Sequence, residues 1–255
     1  MRKLNVAVIF GGRSAEHEVS VKSAIYIISK FSYEKYNVIP IYITQDGKWM
    51  IYSGKIVDFH ASNLGDDSVQ IIFSTDKSNP GIFRVYDNRI QHIKVDVVFP
   101  ALLGMYGEDG TIQGLFELTD IPYVGCGVFA SSVCMDKTLI KSIVESCQIP
   151  QPKSISYEKT TILTADKYNN DVINHVGYPC FIKPARLGTS IGIRRVTKKE
   201  ELSPAIEHAF MFDRKIIIEE LINGRELKCA VLGSGGEDTE ASVMCEVKKN
   251  RAFIL

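Results

Sequence analysis

The sequence predicts an α/β protein in which a mostly parallel sheet is followed by a second unit containing further strands. Through the first half, apolar β-rich runs alternate with segments of helical periodicity, as in a parallel sheet covered by helices. A long helical segment from Val128 to Cys147 then opens another series of strands. Glycine-rich loops follow two of the buried strands, at the edge where open α/β sheets bind ligands.

The first unit contains a strand at 4–10 and a helix at 15–31 whose apolar side is predicted to carry Val19, Ala24, Ile27 and Ile28. Further strands are predicted at 36–44, as short hairpins between 49 and 95, and at 95–102, before a helix at 110–119 and a strand at 121–125. Ser14 is expected to cap the first helix.

The second unit is predicted to begin with a single helix over 128–147. Its strands are expected at 153–157, 180–185, 192–196, 215–221, 226–233 and 242–247, with a helix at 198–212. The chain ends on "NRAFIL", and these apolar residues without a closing helix predict an incomplete domain.

Composition limits the classes of partner. The 255 residues are 45% hydrophobic and 24% charged, and 30 basic residues balance 30 acidic ones, so no overall charge favours nucleic acid or an anionic membrane. Six cysteines form no CxxC pair, which argues against a zinc or thioredoxin-type site. The longest uncharged stretch, 121–135, is shorter than the roughly 20 residues that a membrane span needs. We expect a soluble, cytoplasmic protein.

Two loops at strand ends are candidates for binding. "FGGRSAEHEVS" (10–20) has a glycine turn that opens a helix, and Glu16 would direct a carboxylate toward the cleft, where it suits an ammonium group. "LLGMYGEDGTIQG" (102–114) repeats the arrangement, with the acidic pair Glu108 and Asp109. A glycine turn with a helix cap would explain either loop without a ligand.

Two lysines differ in context. Lys137 lies in a predicted helix, where a solvated lysine is the ordinary case. Lys183 ends an apolar strand before Pro184, so its ammonium is expected in a cleft where an anion compensates for burial. The following "GTSIG" (188–192) can form a hairpin tip whose N–H groups close over phosphate oxygens. In "IIIEELINGRE" (216–226), the strand backbone could form hydrogen bonds with the edge of an adenine, and Glu226 could accept hydrogen bonds from ribose hydroxyls.

These motifs, in this order, resemble the D-alanine:D-alanine ligase family of ATP-grasp enzymes. The segments "VAVIFGGRSAEHEVSVKSA", "GEDGTIQGLFELTDIPYVGC", "CMDKTL", "FIKPARLGTSIG" and "IIIEELINGRELKCAVLG" carry the resemblance, which extends to about Val247. "EHEVSVKSA" is most similar to the vancomycin-resistance ligases that make D-Ala-D-lactate or D-Ala-D-serine. The resemblance implies transfer of the γ-phosphate of ATP to D-alanine, with Mg²⁺ (or Mn²⁺), and attack by a second substrate on the acylphosphate.

The resemblance also implies residue roles. Glu16 would bind the ammonium of the first D-alanine, beside the turn formed by Gly107, Glu108, Asp109 and Gly110. Lys137, Lys183 and Gly188 would contact the phosphates, and Thr189 and Ser190 match a Ser-Ser pair in the flap. Glu219, Leu221 and Ile222 would bind adenine, and Glu226 the ribose. The implied domains are 1–125 (N-terminal ligase domain), 126–220 (central ATP-grasp subdomain) and 221–255 (start of the C-terminal subdomain), and the implied assembly is a homodimer.

Because of three departures from the family pattern, two hypotheses remain open. Leu103 replaces a histidine, Thr189 replaces a serine, and the family's metal ligands lie beyond Leu255, so that none is identified here. The first hypothesis is a C-terminally truncated ligase of peptidoglycan synthesis whose second substrate stays undecided. The other is a non-catalytic remnant that binds nucleotide or D-alanine. An unrelated nucleotide-binding or oxidoreductase domain is disfavoured by the absence of GxGxxG.

Overall fold

The fold was analysed in a computed structural model that describes residues 2–60, 68–86, 89–160, 164–188, 190–233 and 235–248. The predicted terminal segment 250–255 and Thr189 lie outside these residues. The chain divides into two compact units. The first comprises 1–149 and 185–191, and the second comprises 150–184 and 192–255.

The first unit is built on a mixed sheet. Its described strands are β1 (Leu4–Gly11), β2 (Tyr36–Ile43), β3 (Trp49–Ile51), β4 (Val69–Phe73), β5 (Gly81–Tyr86), β6 (Arg89–Lys94) and β7 (Val97–Pro100). They lie in the order β6-β5-β4-β3-β2-β1-β7. The strand β1 pairs in parallel with β2 and β7, and the predicted hairpin strands extend the sheet antiparallel beyond β2.

Both faces of this sheet are covered, because the six residues from Val6 to Gly11 in β1 are all buried. On one face Ala7 and Ile9 pack with Ile112 and Phe116 of the helix α2 (Thr111–Thr119). On the other face Val8 and Phe10 pack with residues of the helix α1 (His17–Ser29). Two helices on opposite faces therefore begin from loops at the same sheet edge, where ligands bind in such folds.

The buried side of α1 differs from the prediction. Its buried residues are His17, Ser20, Val21, Ala24 and Ile28, whereas Val19 is 47% exposed. The helix begins two residues later than predicted, and the polar residues His17 and Ser20 occupy positions on the buried side because both form hydrogen bonds with the neighbouring strand ends. The prediction from the helical spacing of apolar residues is therefore wrong for Val19, which lies on the exposed side of the helix.

The helix predicted over 128–147 is two helices, α3 (Val128–Met135) and α4 (Lys137–Ser146). Asp136 interrupts them with an extended backbone, and its side chain accepts a hydrogen bond from the Thr138 N–H. An aspartate that caps a helix in this way satisfies one of the unpaired donors of its first turn. Lys137 therefore lies at the start of a helix and not within one.

The second unit has an antiparallel sheet in its described part. The strands β8 (Ser154–Glu158), β9 (Cys180–Pro184), β10 (Arg194–Val196) and β11 (Lys215–Glu220) lie in the order β10-β9-β11-β8. The helices α5 (Ala165–His175) and α6 (Leu202–Ala209) cover one face, where Cys180, Ile182, Ile216 and Ile218 are fully buried. Four two-residue strands follow: β12 (Leu227–Lys228), β13 (Val231–Leu232), β14 (Glu240–Ala241) and β15 (Cys245–Glu246).

Candidate active site

The loop after β1 makes its turn with two glycines of positive φ, Gly11 (+87°) and Gly12 (+94°). A Cβ at Gly11 would overlap the carbonyl oxygen of Ile43, so only glycine allows β1 and β2 to approach this closely. The Gly12 N–H donates to the same carbonyl, at 2.8 Å. The chain can then enter α1 with Glu16 at the N-cap.

Two serines join this loop to the one after β7. Ser20 Oγ donates to the Ala101 carbonyl at 2.6 Å and accepts from the Gly11 N–H at 2.9 Å. Ser14 Oγ donates to the Leu103 carbonyl at 2.7 Å and accepts from the Glu16 N–H. The prediction that Ser14 caps α1 is therefore wrong, since its hydroxyl fixes the loop that precedes the helix. Both glycine loops are held together as one element.

His17 is a positioning residue that the motif contained but that sequence reasoning assigned no role. The ring is 2% exposed, with Nδ1 2.6 Å from the Gly12 carbonyl and Nε2 3.1 Å from the Tyr42 hydroxyl. Since a carbonyl only accepts, Nδ1 carries a proton, and Nε2 lies within hydrogen-bond distance of the Tyr42 hydroxyl. Burial raises the pKa of Tyr42, and the charges of Glu18 and Asp46 raise it further, so its hydroxyl stays protonated.

Glu16 is the central group of the first unit. It is 2% exposed, and within the described residues its Oε2 has no hydrogen-bond partner. Leaving a buried carboxylate oxygen unpaired costs about 1–3 kcal/mol or more, unless a ligand donates to it. A Cβ at Gly104 would overlap this same oxygen, so the loop after β7 closes directly against the carboxylate. The carboxylate lies at the N-terminus of α1, where the helix dipole stabilises negative charge.

The GEDG turn places a second carboxylate beside the first. Glu108 Oε2 accepts from the Gly104 N–H at 2.8 Å, and Asp109 accepts from the N–H groups of Tyr106 and Thr111. A Cβ at Gly188 would lie 3.4 Å from Glu16 Oε1 and 3.6 Å from Glu108 Oε2. Gly188 is thus adjacent to two acidic side chains, and the three predicted site residues are brought together.

Lys137 holds the segment that contains Gly188. Its ammonium donates to the Leu187 carbonyl at 2.5 Å and lies 3.4 Å from the Ala185 carbonyl, and its backbone N–H donates to Ala185 at 3.0 Å. Ser190 is exposed. The start of α4 is consequently in direct contact with the residues that immediately precede the predicted phosphate flap.

An apolar cavity of about 280 Å³ adjoins these loops. It is lined by residues of both loops, among them Gly12, Leu103 and Gly107. At the edge of this cavity Arg13 stacks over the Tyr106 ring, and its guanidinium carbon lies 4.4 Å from the ring centroid. Leu103, which takes the place of the family histidine, therefore contributes an apolar wall and no side-chain hydrogen bond.

In the second unit Lys183 and Glu219 lie on the sheet face opposite α5 and α6, whereas the other predicted nucleotide residues follow β11. Lys183 Nζ is 2.6 Å from Glu219 Oε2, and the ammonium is 5.6 Å from the centroid of the Phe181 ring. Leu221 is half-buried and its N–H donates to the Pro179 carbonyl, whereas Ile222 and Glu226 are exposed. The Glu226 carboxylate forms a long ion pair with Lys228, at 3.9 Å.

Neither unit supplies a recognisable metal centre in its described residues. No group of three or more His, Cys, Asp or Glu side chains there is arranged to hold an ion. The two carboxylates beside Gly188 do not reach that number, so the described residues do not fit a resident metal, and we assign no step to one. None of the described helices is long and apolar enough to span a bilayer.

Comparison with known proteins identifies the class. Residues 5–126 match the D-ala D-ala ligase N-terminus and residues 143–255 the D-ala D-ala ligase C-terminus. The D-alanine–D-alanine ligase of Caldicellulosiruptor bescii is 46% identical over 254 residues, which cover 99% of this chain and 69% of that protein. The vancomycin B-type resistance protein VanB of Enterococcus faecalis is 42% identical over 234 residues, 92% of this chain and 65% of VanB.

Solved structures agree with these sequence matches. The VanG D-Ala:D-Ser ligase of Enterococcus faecalis is similar with a TM-score of 0.84 and 38% identity, over 100% of this chain and 74% of VanG. The D-alanine-D-alanine ligase of Coxiella burnetii is similar with a TM-score of 0.85 and 31% identity, over 96% of this chain and 71% of that protein. The fold and the site together define a ligase of the ATP-grasp class. More particularly, the chain belongs to the D-alanine–D-alanine ligase family.

Proposed function

We propose that this protein joins D-alanine to a second D-amino or D-hydroxy acid in peptidoglycan precursor synthesis. The γ-phosphoryl group of ATP passes to a carboxylate oxygen of the first D-alanine, which gives an acylphosphate and ADP. The amine or hydroxyl of the second substrate then attacks the acyl carbon, loses its proton and releases phosphate. ATP arrives as its Mg²⁺ or Mn²⁺ complex.

The observation that carries this proposal is the unpaired buried carboxylate of Glu16. An ammonium group has three N–H donors and carries the opposite charge. It can therefore donate a hydrogen bond to Oε2 and compensate for the burial of the carboxylate charge. Glu108 adds a second negative charge on the same side of Gly188. A D-amino acid held by its ammonium would have its carboxylate free to receive the phosphoryl group.

The GEDG turn has a supporting role in the proposal. Gly107, Glu108, Asp109 and Gly110 shape the first-substrate site, because Glu108 and Asp109 fix the turn through its own N–H groups. Gly110 has a φ of +91° and begins α2, so a side chain there would be strained. The turn is thereby rigid before the substrate arrives.

Phosphate contacts are proposed for Lys137, Lys183, Gly188 and Ser190, together with Thr189. Lys137 already donates to the carbonyls of Ala185 and Leu187, just before the flap, and an incoming phosphate would offer its ammonium a charged acceptor in their place. The strand end with Glu219, Leu221 and Ile222 is proposed to bind adenine, and Glu226 the ribose. The catalytic roles assigned to Thr189 and Ser190 are hydroxyl contacts that order the flap. We also propose a cytoplasmic homodimer.

Replacing Glu16 by glutamine tests the proposal. Glu16→Gln keeps the size of the side chain but removes the charge, and we expect the KM for D-alanine to rise about 10- to 100-fold, as for loss of a charged hydrogen bond. Glu18→Gln, in the same helical turn but exposed, is the matched control. D-Alanine-dependent ADP release is the measurement. Equal KM values for both variants would contradict the proposal.

A second candidate is binding without turnover, which Leu103 favours because its side chain offers no hydrogen bond to the first substrate. It predicts that ATP and D-alanine each bind in calorimetric titrations while no ADP or dipeptide forms. Turnover of the purified chain with ATP, Mg²⁺ and D-alanine excludes this candidate. Binding that stays sensitive to Glu16→Gln, without turnover, supports it.

A further inference from the structure

A second cavity lies at the other end of α1 from Glu16. Its volume is about 390 Å³, and it is lined by Ile28 in the last turn of α1 and by Val38 to Pro40 in β2. The 13 residues of α1 span about 20 Å, so the two sites are well separated. The size is within the range of cavities that hold small molecules. No residue of the proposed ligase site lines it.

The walls of this cavity combine apolar and polar surface, and its charged groups are all cationic. Seven of the residues that line it are aliphatic or proline: Ile28, Val38, Ile39, Pro40, Ile51, Ile56 and Ile93. Lys55 and Arg84 also line it, and its lining contains no aspartate or glutamate. Within the described residues neither cation forms an ion pair, and Arg84 packs at 5.7 Å from the Tyr86 ring instead. A cavity whose lining has two cationic side chains and no carboxylate favours an anion.

Arg84 supplies a direct sign of a missing acceptor. Its Nε is buried and has no hydrogen-bond partner in the described part of the chain. A guanidinium N–H has no alternative role, because it can only donate. The hydroxyls of the two tyrosines that line the cavity contact other groups: that of Tyr52 donates to the Lys55 carbonyl at 3.3 Å and that of Tyr33 to the Ile28 carbonyl at 3.5 Å.

We propose that this cavity binds a small organic monocarboxylate with an apolar body. The carboxylate accepts from Arg84 and Lys55, and the aliphatic walls cover the hydrocarbon part. A guanidinium matches a carboxylate in geometry as well as in charge. The apolar walls disfavour inorganic phosphate, which has no hydrocarbon to bury and remains hydrated. This site is independent of the proposed ligase reaction.

Methyl NMR tests the site directly, because five isoleucines line it. The full chain, labelled at isoleucine methyl groups, is titrated with phenylacetate and, separately, with the neutral isostere phenylacetamide. We expect saturable shifts of Ile28, Ile51 and Ile93 with phenylacetate and at least tenfold weaker binding of phenylacetamide. The absence of saturable shifts, or equal affinity for both compounds, overturns the proposal.

Variants locate the charge contact. Arg84→Gln is expected to weaken phenylacetate binding at least tenfold, and Arg195→Gln, at an exposed arginine of β10, to leave it unchanged. Because Arg84 is partly buried, Lys55→Gln at an exposed position provides a second test that preserves folding. Unchanged binding in Lys55→Gln and in a folded Arg84→Gln overturns the assignment.

Discussion

Lys183 on β9 forms a 2.6 Å ion pair with Glu219 on β11, and both are residues expected to contact nucleotide. The register of the two strands explains the pair. Phe181 is directly opposite Glu219, and Lys183 is two residues further along on the same face. The opposite face carries Ile182 and Ile218, which pack under α5 and α6. Strand alternation thus places the ion pair on the face away from α5 and α6.

The ion pair leads to the first prediction. Lys183→Met should weaken ATP binding about 10- to 100-fold, because a charged phosphate contact is lost, and should destabilise the fold by about 1–3 kcal/mol, because the largely buried Glu219 loses this ion pair. Lys228→Met, at an exposed lysine, is the control. Adding Glu219→Gln should restore stability but not ATP binding. If the double variant recovers ATP affinity, measured by calorimetry, as well as stability, measured by thermal unfolding, the proposed phosphate contact of Lys183 is contradicted.

Gly104 gives a prediction with an internal control. A Cβ there would overlap Glu16 Oε2, and its φ is +73°, so Gly104→Ala should lower stability and raise the KM for D-alanine. Gly114 lies in α2 with open space around the added methyl, so Gly114→Ala should stabilise by about 0.5–1 kcal/mol. Denaturant unfolding measures both. A stabilising Gly104→Ala would show that the loop does not close against Glu16.

The sequence was sufficient for much of the fold but not for the position of side chains between elements. The strand at β1 and the site residue Glu16 were predicted because their signals are local, namely an apolar run and a glycine loop. The role of His17 was not, because it depends on Tyr42, 25 residues away and on another strand. The break at Asp136 was also missed, since apolar residues continue on both sides of it and the break depends on a capping bond from the aspartate to the Thr138 N–H.

Site predictions reflect the same limit. The convergence of Glu16, Glu108 and Gly188 joins three segments that are distant in the chain, and only the tertiary structure brings them together. Motif resemblance named all three residues without giving their spacing. It could not reveal the Lys183–Glu219 pair either, because that contact depends on the register of two antiparallel strands.

Cys180 should be protected from thiol reagents. It is fully buried in β9, and burial raises the pKa of its thiol to about 11, whereas the other five cysteines are exposed. At pH 8 we expect five fast reactions with an aromatic disulfide reagent and a sixth at the rate of local or global opening. Cys180→Ala should remove only the slow reaction. Six reactions at similar rates would contradict the burial of β9.

Asp96 should make the free energy of unfolding depend on pH in the acid range. Partial burial works to raise its pKa, but hydrogen bonds from the Asn5 N–H, Arg2 and Lys94 outweigh it and hold the pKa below the ordinary value of 3.8. Because the folded pKa is the lower one, the contribution of Asp96 is present above about pH 4 and is lost as the pH falls through the folded pKa.

The measurement for Asp96 compares two variants across pH. Asp96→Asn should lower the free energy of unfolding at pH 7, and the difference from the parent should shrink as the pH falls below 4. Asp58→Asn, at an exposed aspartate without a side-chain hydrogen bond in the described residues, is the control. A difference that is the same at pH 7 and pH 3 would show that Asp96 acts by packing and not by charge.

Leu103 is the position at which the proposed first-substrate site differs from the family pattern. Its carbonyl accepts from Ser14 Oγ, so the backbone is held, while its side chain forms an apolar wall beside Gly12. Leu103→His would restore a hydrogen-bonding side chain on an unchanged loop. If that bond stabilises the transition state by about 1–3 kcal/mol, kcat/KM for D-alanine should rise roughly 10- to 100-fold. Leu103→Met keeps the wall apolar and should give no gain. An equal rise in both variants would mean that loop packing, and not the imidazole, limits the reaction.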